Sequence, residues 1–162
     1  TNENTIINAF TAGYFDAARL INAKHFDRIR QLLEDALQKG AQVEAGGELD
    51  EETRYVAPTL ISAITEDMQV YQEEIFGPVL TIQTFRTVDE VIQKANNSPY
   101  GLAAGVWTDK GSRLFNLTSK LNAGVVWGNT YNRFDPSSPF GGFKESGYGR
   151  EGGLHGLSAY LK

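Results

Sequence analysis

Residues 79–129 read VLTIQTFRTVDEVIQKANNSPYGLAAGVWTDKGSRLFNLTSKLNAGVVWGN, and their alternation decides the fold class. Val79 to Phe85 is a run of β-formers that reads as a strand. Thr87-Val-Asp-Glu90 has the spacing of a capping box, which opens a helix through about Asn96. Asn96 to Gly101 is a loop by its Asn, Ser, Pro and Gly chemistry. Leu102 to Trp107 is small and apolar, as a buried strand would be. Leu114, Leu117 and Leu121 then recur at helical steps in Ser112 to Leu121, and Gly124 to Trp127 is a further buried strand. A β-α-β-α-β order predicts parallel pairing through right-handed crossovers, so the fold class is α/β: a mostly parallel sheet with flanking helices in three layers.

Upstream of this core, KHFDRIRQLLEDALQK at 24–39 lines one helical face with Phe26, Ile29, Leu32, Leu33, Ala36 and Leu37. Gly40 follows where a left-handed C-terminal cap is expected. A short strand near Ala41 to Glu44 precedes a Gly46-Gly47 turn. YVAPTLISAI at 55–64 is another strand whose start Pro58 demotes to an edge. Residues 1–20 show no clear periodicity and are left as an unassigned segment. Downstream, Thr130 to Gly153 is a long glycine-rich loop carrying Tyr131, Phe134, Phe140, Phe143 and Tyr148, too aromatic for a disordered segment.

Composition narrows the function classes. The 162 residues include 15 Lys and Arg against 20 Asp and Glu, 41% hydrophobic and 22% charged residues. That balance is globular and acidic, which leaves no electrostatic footprint for nucleic acid or an anionic membrane. No apolar run approaches the roughly 20 residues of a membrane span. The first residues lack a signal-peptide pattern, so a cytoplasmic location is expected. There is no cysteine, hence no disulfide framework, thiolate metal site or cysteine nucleophile within these residues. Glycine is skewed, with nine of seventeen in residues 121–162.

Three segments could carry chemistry. EEIFGPV at 73–79 pairs two carboxylates, but neighbours on an extended segment point to opposite sides and cannot form a catalytic dyad. By composition it is a solvated acidic turn; alternatively one carboxylate accepts from ribose hydroxyls while Phe76 covers a flat ring. SPFGGFKESGYGRE at 138–151 lacks the spacing of a phosphate-binding P-loop. Gly147, Gly149 and Gly152 match GxGxxG without the strand that a dinucleotide fingerprint needs, so that reading is rejected. His25 and His155 have no carboxylate at ligand spacing and read as ordinary histidines; no metal is expected. Ser137, Ser138 and Ser146 lack a nucleophile elbow. Trp107 and Trp127 read as core.

Taken together, EEIFGPV at 73–79, NNSPYGLAA at 96–104, GVVWGN at 124–129 and SPFGGFKESGYGRE at 138–151 resemble the aldehyde dehydrogenase superfamily in content, order and separation. The resemblance runs over residues 21–162 and is to the C-terminal part of the catalytic domain. It implies oxidation of an aldehyde to a carboxylic acid with NAD or NADP. By position, Glu74 would accept from the nicotinamide ribose hydroxyls and Phe76 would pack beside the nicotinamide. Phe134 and Phe140 would line the aldehyde pocket, and Glu151 would support a proton or water path. The same resemblance places the family's nucleophilic cysteine, general-base glutamate, oxyanion-stabilising asparagine and cofactor-binding fold upstream of the matched region, and its subunit-pairing strand beyond Lys162. The expectation is therefore a fragment of an NAD(P)-dependent aldehyde dehydrogenase, inactive alone. The alternative is a non-catalytic interaction module or subunit that pairs with a complete dehydrogenase subunit or with its own copies.

Overall fold

The buried face of the first helix organises the N-terminal half. The computed structural model describes residues 19–161, so most of the unassigned segment 1–20 lies outside the described residues. The chain divides into two compact units with their boundary between Thr84 and Phe85.

In the first unit, α1 (Ala23–Gln38) starts where the Asn22 side chain accepts the His25 N–H at 2.8 Å, satisfying one of the orphan donors of a helix N-terminus. It stops at Lys39, and Gly40 follows with φ 101°, as the sequence predicts. Phe26, Ile29, Leu32, Leu33 and Ala36 are all buried. The four larger side chains each contribute about 1.5–3 kcal/mol on leaving water. Their partners include Val56, Ile61, Met68 and Val70.

The sheet of this unit has the order β1-β4-β5. β1 (Gln42–Ala45) runs antiparallel to β4 (Thr59–Ser62), with a bulge between Val43 and Ala45. β4 runs parallel to β5 (Val79–Thr81). Leu60, Ile61 and Thr59 of the central β4 are fully buried. The Thr59 hydroxyl is satisfied there, donating to Ala57 O at 2.6 Å and accepting from Gly47 N at 3.0 Å. Pro58 divides the expected strand 55–64. The part before it is β3 (Tyr55–Val56), which pairs instead with β2 (Leu49–Asp50) in a short hairpin. A four-residue helix, α2 (Gln69–Gln72), completes the unit.

The second unit begins with α3 (Val88–Asn96). Thr87 Oγ1 accepts the Glu90 N–H at 3.1 Å, and the Glu90 carboxylate reaches back to the Arg86 N–H at 2.8 Å. This is the anticipated capping box, displaced by one residue on its return bond. β6 (Tyr100–Gly101) precedes β7 (Ala103–Val106), α4 (Gly111–Lys120) and β8 (Val125–Gly128). β7 and β8 pair in parallel over four residues, the β-α-β unit the sequence predicts. These strands are half-buried except at Val106 and Trp127, which are buried, and Gly128, which is exposed. Trp107 departs from its expected core position. It is 58% exposed, because the residue after Val106 lies past the end of the pairing. β9 (Phe143–Lys144) and α5 (Gly153–Ser158) lie within and after the glycine-rich loop. Among the described residues, no helix is long and apolar enough to cross a membrane.

Candidate functional site

In the first unit the segment 73–77 leaves α2 as a sharply turned backbone. Phe76 has φ 55° although it is a bulky residue, a conformation that costs about 1–3 kcal/mol and survives only where its surroundings over-determine it. Gly77 has no room for a side chain, since a Cβ there would stand 2.4 Å from Ile29 Cδ1. The carbonyls of Glu74, Ile75 and Phe76 all meet α1: Arg28 Nη2 donates to Glu74 O and Nη1 to Ile75 O, both at 2.8 Å, and His25 Nε2 donates to Phe76 O at 2.6 Å. Arg28 also pairs with the Glu73 carboxylate at 3.2 Å. Glu73 thus faces α1, and the side chain of Phe76 stands 68% exposed. Glu74 and Phe76 share a recess of about 390 Å³ with Val70, Glu73, Ile75, Gly77, Val79, Leu80 and Thr81, the Glu73 carboxylate at its edge being the one paired with Arg28. An acceptor carboxylate beside an exposed flat ring suits a hydroxylated sugar joined to an aromatic base. His25 and Arg28 were not legible as parts of this arrangement, because their partners lie 46 to 51 residues away.

In the second unit the aromatic residues of the loop form a chain of rings. Trp127 meets Tyr131 at 4.8 Å between centroids and Phe134 at 5.6 Å; Phe134 meets Phe140 edge-on at 4.9 Å. Each such pair adds about 0.5–1.5 kcal/mol beyond its burial. Trp127 Nε1 donates to Arg133 O at 2.9 Å, which ties the loop back to β8. The structure therefore brings Phe134 and Phe140 together, with Phe134 58% exposed. Glu151 is joined to Phe140 through both backbone groups, at 2.7 and 2.8 Å. Its side chain is exposed at a recess of about 530 Å³ lined by Pro136, Arg150, Gly153, Leu157 and Tyr160. At the turn between Phe134 and Phe140, the Ser137 hydroxyl and then its N–H lower the Asp135 carboxyl below its ordinary value.

The sequence segments 96–104 and 138–151 are interlocked. β6 and β9 pair antiparallel, Gly101 N donates to Ser146 Oγ at 3.1 Å, and Glu145 N donates to Pro99 O at 3.0 Å. Lys144 Nζ caps the end of α3 by donating to Asn96 O at 2.8 Å and Ser98 O at 2.9 Å. Asn96 itself brackets the end of α4, donating to Lys120 O and accepting from Asn122 N. The glycines let three backbone segments stack. A Cβ on Gly124 would lie 1.7 Å from Gly141 O, and one on Gly141 would lie 2.0 Å from Gly149 O. Among the described residues, no group of three or more His, Asp or Glu side chains could hold a metal ion.

The family model described as the aldehyde dehydrogenase family matches residues 9–162. Retinal dehydrogenase 2 of Homo sapiens is 45% identical over 141 residues, which is 86% of this chain and 27% of that protein. The structure of a Bacillus cereus aldehyde dehydrogenase in its NAD+ complex aligns at TM-score 0.83 with 44% identity, over 89% of this chain and 30% of that one. Betaine aldehyde dehydrogenase of Staphylococcus aureus, in complex with NAD+, aligns at TM-score 0.89 with 32% identity, over 99% of this chain and 34% of its own. This chain belongs to the aldehyde dehydrogenase family. It spans about a third or less of the length of these relatives.

Proposed function

We propose that these residues form the ribose-binding and acyl-pocket portions of an NAD(P)-dependent aldehyde dehydrogenase that oxidises an aldehyde to a carboxylic acid. The observation that carries the proposal is the turn at Phe76. There a strained backbone presents an exposed ring and the Glu74 carboxylate to one recess. In this reading Glu74 accepts from ribose hydroxyls and Phe76 packs beside the nicotinamide, fixing its pose. When bound, NAD or NADP supplies the hydride acceptor. Phe134 and Phe140 line the aldehyde pocket and exclude water from an apolar acyl group. The Glu151 carboxylate supports a proton or water path. Positioning of this kind is how a dehydrogenase brings reacting atoms to about 3–3.5 Å. A cytoplasmic location belongs to the same proposal.

The test is a graft. Residues 21–162 replace the equivalent segment of the Bacillus cereus enzyme, and NAD+-dependent aldehyde oxidation is assayed. We expect an active chimera in which Glu74→Gln raises KM for NAD+. A folded, assembled chimera whose KM for NAD+ is indifferent to Glu74→Gln would sink the cofactor reading. The purified 162-residue chain has no cysteine and is expected to show no turnover above background.

A second reading is a non-catalytic module pairing with a complete dehydrogenase subunit or with its own copies. The exposed Leu154, Leu157 and Tyr160 of α5 and its end favour it. Light scattering that finds a monodisperse monomer, with no association on adding a complete dehydrogenase, argues against it.

A further inference from the structure

Three consecutive carbonyls, those of residues 74, 75 and 76, are held by two side chains of one helix. Successive carbonyls of a strand alternate in direction, so three turned to one side mark a backbone shaped from outside. His25 and Arg28 are one turn apart on α1, next to Ile29, whose Cδ1 closes the space under Gly77. Arg28 takes the first two carbonyls at 2.8 Å and His25 the third at 2.6 Å. A carbonyl oxygen only accepts, so the His25 proton sits on Nε2. Both anchors pull the backbone of 74–76 toward α1. The Arg28–Glu73 pair, 3.2 Å apart, draws the neighbouring carboxylate the same way. The side chains of Glu74 and Phe76 are left on the exposed side. No other hydrogen bond in the first unit reaches the carbonyl of the left-handed residue, Phe76, among those described.

We infer that His25 and Arg28 are positioning residues for the cofactor: through the carbonyls of 74–76 they set where the Glu74 carboxylate and the Phe76 ring meet the ribose and nicotinamide. The inference rests on the cofactor reading of Glu74 and Phe76 proposed above. It assigns to α1, which supplies no carboxylate or ring to the recess, control over how tightly the dinucleotide is held. Neither residue touches the cofactor, so the effect belongs in KM for NAD+ and not in KM for the aldehyde.

The experiment uses the active chimera with Arg28→Met, His25→Leu, His25→Gln and Glu74→Gln, reading kcat, both KM values and the melting temperature. Loss of a charged donor from two carbonyls should raise KM for NAD+ about tenfold in Arg28→Met, and His25→Leu about threefold. KM for the aldehyde should stay unchanged. His25→Gln, which restores an N–H near the Nε2 position, should recover most of the loss. Arg28→Met added to Glu74→Gln should raise KM by less than the product of the two single effects, since part of the Arg28 effect passes through the Glu74 carboxylate and the rest through the Phe76 ring. If Glu74→Gln raises KM while His25→Leu and Arg28→Met leave it unchanged at normal melting temperature, the positioning inference is overturned and the cofactor reading stands. If Glu74→Gln has no effect, the cofactor reading fails and this inference fails with it. Should Arg28→Met not fold, the His25 pair decides: equal rises in both KM values without rescue by Gln overturn positioning in favour of a merely structural role.

Discussion

Replacing Gly124 by alanine tests whether the glycine-rich loop is stacked on β8 as described. The added Cβ would lie 1.7 Å from Gly141 O, 2.7 Å from Gly141 C and 3.0 Å from Gly142 Cα, whereas ordinary contact begins at 3.4 Å. All three obstacles are backbone, so no side chain can swing aside; the loop or the strand must move by more than 1 Å on a scale where packing is unforgiving. Overpacking of this kind costs about 1–3 kcal/mol or more, and shifting the strand also strains the Gly124 N–H bond to Gly101 O at 3.0 Å, worth about 1 kcal/mol. A total near 3–4 kcal/mol lowers the melting temperature of a chain this size by roughly 10 °C. The assay is thermal unfolding followed by tryptophan fluorescence. Both tryptophans, Trp107 and Trp127, lie in the second unit, so the signal reports the region that is altered. Gly111→Ala is the control, because nothing lies within 4 Å of a Cβ there and the residue opens α4; it should leave stability unchanged or slightly raised. A melting temperature for Gly124→Ala within about 2 °C of the parent, less than 1 kcal/mol, would refute the stacked arrangement.

Lys144→Met should lower stability by about 2 kcal/mol, since two charge-assisted bonds from a half-buried ammonium to the Asn96 and Ser98 carbonyls are lost; Lys144→Arg should lose less, and denaturant melts separate them. Thr87→Ala removes the α3 cap and should cost about 1 kcal/mol in the same melts. The Asp35 carboxyl is held below its ordinary 3.8 first by the Lys39 ammonium and then by the Gln69 N–H. A depressed folded value contributes stability above pH 3.8 that disappears as pH falls through it. Asp35→Asn should therefore flatten the acid side of the melting-temperature profile while leaving the change between pH 6 and 8 as in the parent.

Some of this architecture was legible along the chain because its causes are local. The apolar stripe of α1, its Gly40 stop and the Thr87 cap depend on residues within four positions of one another, so periodicity and capping chemistry reveal them. The β7-α4-β8 unit was legible for the same reason. Pro58 was read as weakening a strand; it proves to divide one, with β3 leaving for a different partner. Trp107 misled because an apolar run says nothing about where its pairing ends.

The candidate site divides along the same line. By itself the sequence determined the fold class, the family and which residue types are present. Glu74, Phe76, Phe134, Phe140 and Glu151 were named from motifs that keep their order. Tertiary structure alone decided what holds them. The Phe76 turn exists because His25 and Arg28 reach it across more than 45 residues, and Lys144 meets α3 across 48. The absence of a side chain at Gly124 and Gly141 is explained only when the backbones at 124, 141 and 149 are seen stacked on one another. Local patterns record what each segment prefers. Close approach between distant segments is a property of the folded surface, and no spacing along the chain encodes it.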